Sequence, residues 1–120
     1  MPNTNRPTIS THVLDTTRGE PAAGVGVILF RLHDNDRTIL ATGETDADGR
    51  IGSLRGGEGG GPLPAGPYGL SWDVGAYYKK KGTAPFVLRA TFDFEIPHPI
   101  RRYHIPLLMS PYSCSTYRGS

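Results

Sequence analysis

At 120 residues the chain has the length of one domain, not two. Its 16 glycines and 11 prolines make up more than a fifth of the composition. That excludes a helical bundle, because an interior glycine costs about 1 kcal/mol and an interior proline about 3. A net charge of +2 with 37% hydrophobic residues argues against disorder, and a single cysteine excludes an internal disulfide and a cysteine-built zinc site.

Residues 1–8 are polar and proline-bearing and read as a flexible arm ahead of a single domain over 9–120. The stretch Ile9 to Asp15 alternates with period two. It puts Ile9, Thr11 and Val13 on a core face and Ser10, His12 and Leu14 on the other. Arg18 to Pro21 is a turn, and Val25 to Leu32 is a buried strand rich in β-branched and aromatic residues. His33 to Asp36 turns the chain back into a strand over Thr38 to Thr45. Asp46 to Arg50 is a further turn, with a short strand near Ile51 to Leu54. Gly56 to Gly66 is the densest run of breakers and reads as a loop. Pro67 to Trp72 is a strand. Asp73 to Lys81 is a short helix, capped by Asp73, basic near its end and stopped by Gly82. Val87 to Phe94, Arg102 to Met109 and Tyr112 to Arg118 complete the strands. Seven or eight short strands with turn signals every 8–12 residues predict an all-β, antiparallel sandwich.

Alternation over Tyr103 to Leu108 places Tyr103, Ile105 and Leu107 inward and His104, Pro106 and Leu108 outward. His12 and His104 thus both face away from the core beside apolar neighbours, as at a site wall, or as two ordinary surface histidines. Pro106 lacks an N–H and calls for an edge or a bulge in its strand. Sharper motifs fall away. Asp46, Asp48 and Gly49 resemble part of a calcium loop, but Arg55 stands where the bidentate Glu is required. The glycine run has no Gly-Lys-Ser/Thr after it and is not a phosphate loop. His12, His33, His98 and His104 lack the i, i+4 helical spacing of a zincin. Cys114 on a strand reads as an inert hydrophobe, and Lys79 to Lys81 as a solvated helix end rather than a nucleic-acid contact.

Three motifs carry a family resemblance. They are Ser10-Thr11-His12-Val13-Leu14-Asp15, then Asp48-Gly49-Arg50, then Tyr103-His104-Ile105-Pro106-Leu107-Leu108 leading to Tyr117-Arg118-Gly119-Ser120. In this order and spacing, the chain from Ile9 onward resembles the 5-hydroxyisourate hydrolases of the transthyretin-like family. The resemblance implies a transthyretin-like (prealbumin) sandwich of two four-stranded sheets with one short helix. It implies hydrolysis of the small-molecule substrate 5-hydroxyisourate in urate breakdown, with no metal and no cofactor. It also implies a homotetramer, a dimer of dimers with its sites at the dimer–dimer interface. His12, Arg50, His104 and Ser120 are the implied catalytic residues, and Arg50, Tyr117, Arg118, Gly119 and Ser120 the implied substrate contacts.

The carrier branch of the same family is the rival reading. It has lysine, glutamate and threonine where His12, Arg50 and His104 stand, and lacks the terminal tetrapeptide. A structural β-module is a third reading. Departures from the hydrolase pattern are Cys114 in place of a tyrosine, Arg102 in place of a histidine, and the long Gly56–Gly61 run. No apolar run reaches the roughly 18 residues of a membrane helix. With no secretory h-region and no Ser-Lys-Leu ending, the expectation is a cytoplasmic protein, or a peroxisomal one in a eukaryote, with no membrane or nucleic-acid partner.

Overall fold

The computed structural model describes residues 8–54, 63–97 and 102–119. The arm before Thr8, the Gly56–Gly61 run, His98 and Ser120 lie outside the described residues. The strands are β1 (Thr8–Asp15), β2 (Glu20–Pro21), β3 (Gly26–His33), β4 (Asp36–Glu44), β5 (Arg50–Leu54), β6 (Gly66–Trp72), β7 (Ala90–Ile96), β8 (Arg102–His104), β9 (Leu107–Met109) and β10 (Cys114–Thr116), with one helix, α1 (Val74–Lys80), between β6 and β7.

Two sheets result, each with its apolar residues turned to a shared core, as the alternation requires. The second sheet runs β4-β3-β6-β7, all antiparallel. The first is built around β1. Antiparallel β5 and β2 pair with successive parts of β1, while β8 and then β9 pair with it in parallel, and β10 closes the sheet beyond β9. Counting β8 and β9 as one interrupted strand, its main strands are four, with the two-residue β2 as an addition. The parallel pairings of β1 depart from the wholly antiparallel sandwich expected.

The core contains Ile9, Val13, Val27, Leu29, Tyr68, Leu70, Trp72, Ile105 and Leu107, all buried. Thr11 is buried among them, yet it is satisfied: its hydroxyl donates to the Ile105 carbonyl at 2.7 Å and accepts from the Trp72 indole N–H at 3.1 Å. This short chain of bonds fastens β1, the central strand of the first sheet, to β6 and to the break between β8 and β9. The helix matches its sequence signals. Asp73 caps it by accepting from the Ala76 N–H at 3.1 Å, and Gly82 N–H ends it on the Lys79 carbonyl. Its Tyr77 and Tyr78 pack inward.

Four expected boundaries move. The strand expected from Val87 begins at Ala90, because the Phe86 and Val87 N–H groups both donate to the Pro111 carbonyl rather than to a ladder. The strand expected over Arg102 to Met109 is divided at Ile105 and Pro106, consistent with the missing proline donor. The last strand contracts to Cys114–Thr116. Glu20–Pro21, expected as turn, pairs with Asp15 and Leu14.

Candidate functional site

The outward face of β1 carries Ser10, His12 and Leu14, each half-buried, while Ile9, Thr11, Val13 and Asp15 are buried. Strand pairing brings the remaining groups to that face. On one side, His12 is the Cα partner of Arg50, the first residue of β5. On the other, Ser10 is the partner of His104, the last residue of β8. His12 lies two residues along β1 from Ser10, about 7 Å by strand rise. His12, Arg50 and His104 are thereby gathered on adjacent strands of one face.

The turn before β5 sets the position of Arg50. Asp46 organises it: the Gly49 N–H donates to the Asp46 carbonyl at 2.9 Å, and the Asp48 and Arg50 N–H groups donate to Asp46 Oδ1 at 2.9 and 3.0 Å. The Gly49 carbonyl then accepts from the Val13 N–H at 2.7 Å, stapling the turn to β1. Gly49 has φ of 75°, and a Cβ there would lie 2.5 Å from the Val13 carbonyl oxygen, so both backbone shape and space require glycine. Arg50 itself is exposed.

The segment after β10 returns to His104. Gly119 forms an antiparallel bridge with it, the Gly119 N–H donating to the His104 carbonyl at 2.7 Å. A Cβ on Gly119 would lie 3.0 Å from His104 Cδ2 and 3.0 Å from its carbonyl oxygen. Any side chain there would press on the ring and its carbonyl, so glycine suits this close passage. The Arg118 guanidinium lies 5.7 Å from the centre of the Tyr103 ring, and Tyr117 is exposed. Ser120 follows Gly119 directly and lies outside the described residues.

The electrostatics single out His104. Burial pushes its pKa below the usual imidazole value, and the charge of Arg50 and then that of His12 push it the same way. Desolvation is the largest cause, and Arg50 comes second. The ring therefore favours its neutral form near pH 7. Burial raises the Cys114 thiol pKa, which suits an inert packing residue rather than a nucleophile. Among the described residues, no group of three or more His, Cys, Asp or Glu side chains is placed to hold a metal ion.

One residue of the cluster was given no role from sequence. Ser10 Oγ lies 2.8 Å from His104 Nδ1. The alternation put Ser10 on the His12 face, but its meeting with His104 depends on a parallel register between residues 94 positions apart. No spacing rule in a single chain reveals that register.

Comparison with known proteins shows the family and the fold. The HIUase/Transthyretin family model matches residues 9–119. The chain is 40% identical to the 5-hydroxyisourate hydrolase of Caulobacter vibrioides, over 93% of this chain and 97% of that protein. Among solved structures, the 5-hydroxyisourate hydrolase of Klebsiella pneumoniae superposes with a TM-score of 0.79 at 40% identity, covering 94% of this chain and 99% of that one. Transthyretin from Sparus aurata superposes with a TM-score of 0.83 at 32% identity, covering 93% and 96%.

Proposed function

Because the chain belongs to the HIUase/Transthyretin family, we propose that it is a 5-hydroxyisourate hydrolase, opening the lactam of an oxidised purine with water to give 2-oxo-4-hydroxy-4-carboxy-5-ureidoimidazoline. The observation that carries this reading is the gathering of His12, Arg50 and His104 on one face of three adjacent strands, with Gly119 against His104. Two imidazoles and a guanidinium suit hydrolysis of a planar, polar ring. They suit an apolar-ligand carrier poorly.

Water is a weak nucleophile at neutral pH, and an imidazole with an ordinary pKa of about 6.5 is a well-matched base. In the proposed mechanism His12 takes a proton as the water oxygen bonds to the lactam carbonyl carbon. The carbon–nitrogen bond then breaks, and the imidazolium of His12 returns that proton to the departing ring nitrogen. Arg50 stabilises the charge that develops on the carbonyl oxygen through charge-assisted hydrogen bonds. His104 orients the reacting groups. Tyr117, Arg118, Gly119 and Ser120 are assigned to binding the substrate, with Ser120 also in the catalytic group. The site lies on one sheet face of a single chain, which supports a homotetramer, a dimer of dimers, whose second dimer covers the substrate.

The test is to follow freshly generated 5-hydroxyisourate spectrophotometrically, with and without the protein. Decay should be accelerated, and His12→Ala and His104→Ala should each lose about two to four orders of magnitude in turnover with unchanged sedimentation. Wild-type protein that leaves the decay unchanged would sink the hydrolase and return the carrier reading. Near-normal turnover in either variant would remove that histidine from the mechanism.

A further inference from the structure

The mechanism above makes no use of Ser10, although its hydroxyl sits 2.8 Å from Nδ1 of His104. The backbone of Ser10 is engaged separately: its carbonyl accepts from the Ile105 N–H at 2.9 Å. The side chain is therefore not needed to hold the ladder. Among the described residues, Nδ1 of His104 is the one hydrogen-bond partner of that hydroxyl. On the other side of the ring, the Gly119 backbone passes close enough that an added Cβ would lie 3.0 Å from Cδ2. Nε2 is the ring nitrogen that Ser10 does not engage.

A neutral imidazole has one N–H and one bare nitrogen, and whichever atom bonds Nδ1 decides which is which. His104 is held neutral by burial, by Arg50 on β5 and by His12 on β1. A serine hydroxyl whose sole described partner is a bare ring nitrogen satisfies its own proton by donating. Were Nδ1 protonated instead, the hydroxyl would accept and its own proton would be left to solvent.

We propose that Ser10 is a positioning residue whose hydroxyl donates to Nδ1 of His104, fixing the neutral tautomer that carries its hydrogen on Nε2. This rests on the hydrolase reading for its purpose. The Nε2–H becomes a fixed hydrogen-bond donor to the oxygen on which charge develops, working beside Arg50 without giving up its proton. His12 is left as the base, which assigns the two histidines different roles.

Histidine labelled with nitrogen-15 and long-range proton–nitrogen spectra near pH 7 read the tautomer directly. In the wild type, His104 should show the pattern of an Nε2-protonated ring. Ser10→Ala should lose that preference, with kcat down about tenfold or more and KM changed less. Ser10→Thr keeps a hydroxyl on a strand position that favours β-branching, and should restore both the tautomer and most of kcat. A wild-type ring protonated on Nδ1 overturns the proposal, and so does an alanine variant with its tautomer or kcat unchanged. The wild-type spectrum decides even if Ser10→Ala folds poorly. Wild-type protein with the expected tautomer but no turnover would instead count against the hydrolase reading, leaving the hydrogen bond established.

Discussion

Asp15 ends β1 with its side chain wholly buried, and the structure surrounds it with donors. The Tyr77 hydroxyl donates to Oδ2 at 2.9 Å, the Tyr78 hydroxyl to Oδ1 at 2.8 Å and the Thr17 N–H to Oδ1 at 3.1 Å, with Arg18 Nε 3.7 Å from Oδ2. Burial, and then the bond to Asp15, push the Tyr77 hydroxyl up to about 12 and raise that of Tyr78 as well. Both folded values lie above the ordinary tyrosine value of about 10. Their contribution to stability is therefore whole below about pH 10 and is lost as pH rises towards 12. Urea unfolding midpoints measured against pH should fall across that window, and absorbance at 295 nm should show both tyrosines still protonated past pH 10. Tyr78→Phe removes one donor from a buried carboxylate and should cost about 1–3 kcal/mol at neutral pH. A midpoint unchanged by the substitution would mean that the bond does not stabilise the fold. Alternation along β1 continues the core face from Ile9, Thr11 and Val13 to Asp15, but a carboxylate there gives no hint of what satisfies it. Its tyrosines arrive from α1, more than sixty positions later, just as Ser10 meets a histidine 94 positions away. Sequence pattern reports which way a side chain points, not which distant side chain it meets.

Elements were legible where local chemistry decides them. The Asp73 cap and the Gly82 stop of α1 act within one turn of chain, and the Asp46–Arg50 turn is closed by its own backbone and the Asp46 side chain. Elements were misjudged where another part of the molecule outbids the ladder. The alternation over Val87 to Phe94 reads as a strand from Val87, but Pro111 captures the N–H groups of Phe86 and Val87. Residues 105 and 106 interrupt β8–β9 while Thr11, itself held by Trp72, bonds the Ile105 carbonyl. The turn ahead of β5 links local legibility to the site, because it delivers Arg50 opposite His12. Gly49→Ala forces a left-handed residue, about 1–2 kcal/mol by itself, and puts a methyl 2.5 Å from the Val13 carbonyl oxygen. The turn must then lift from β1 and shift Arg50. Calorimetry should show a stability loss beyond the backbone cost alone, and hydrolysis should slow more than unfolding explains at the assay temperature. Full activity in this variant would show that the placement of Arg50 tolerates movement of its turn.

At the scale of the whole molecule, one sheet face is a wall and not an enclosure. Ser10, His12 and His104 are half-buried, Arg50 is exposed, and among the described residues no second layer of strands lies over that face of the first sheet. Water-excluded electrostatics, on which the proposed roles of Arg50 and of the His104 N–H rest, need a cover over that face. Large aromatics also stand in solvent: Phe86 is 81% exposed, Tyr112 71% and Tyr117 51%, and Phe86 is bonded through its N–H to the Pro111 that precedes Tyr112. Neighbouring exposed aromatics of this kind mark surfaces that bury themselves on association. The motifs make the candidate site residues readable in one chain, whereas a cover supplied by other chains, as the proposed homotetramer requires, would leave no local pattern. If the homotetramer is right, sedimentation velocity should find four-chain particles, and specific activity should fall together with the tetramer fraction as the protein is diluted. The half-loss of activity and the half-loss of tetramer should then coincide in concentration. A fully active monomer would show that the open face of the first sheet suffices for hydrolysis, and a site at the dimer–dimer interface would have to be abandoned.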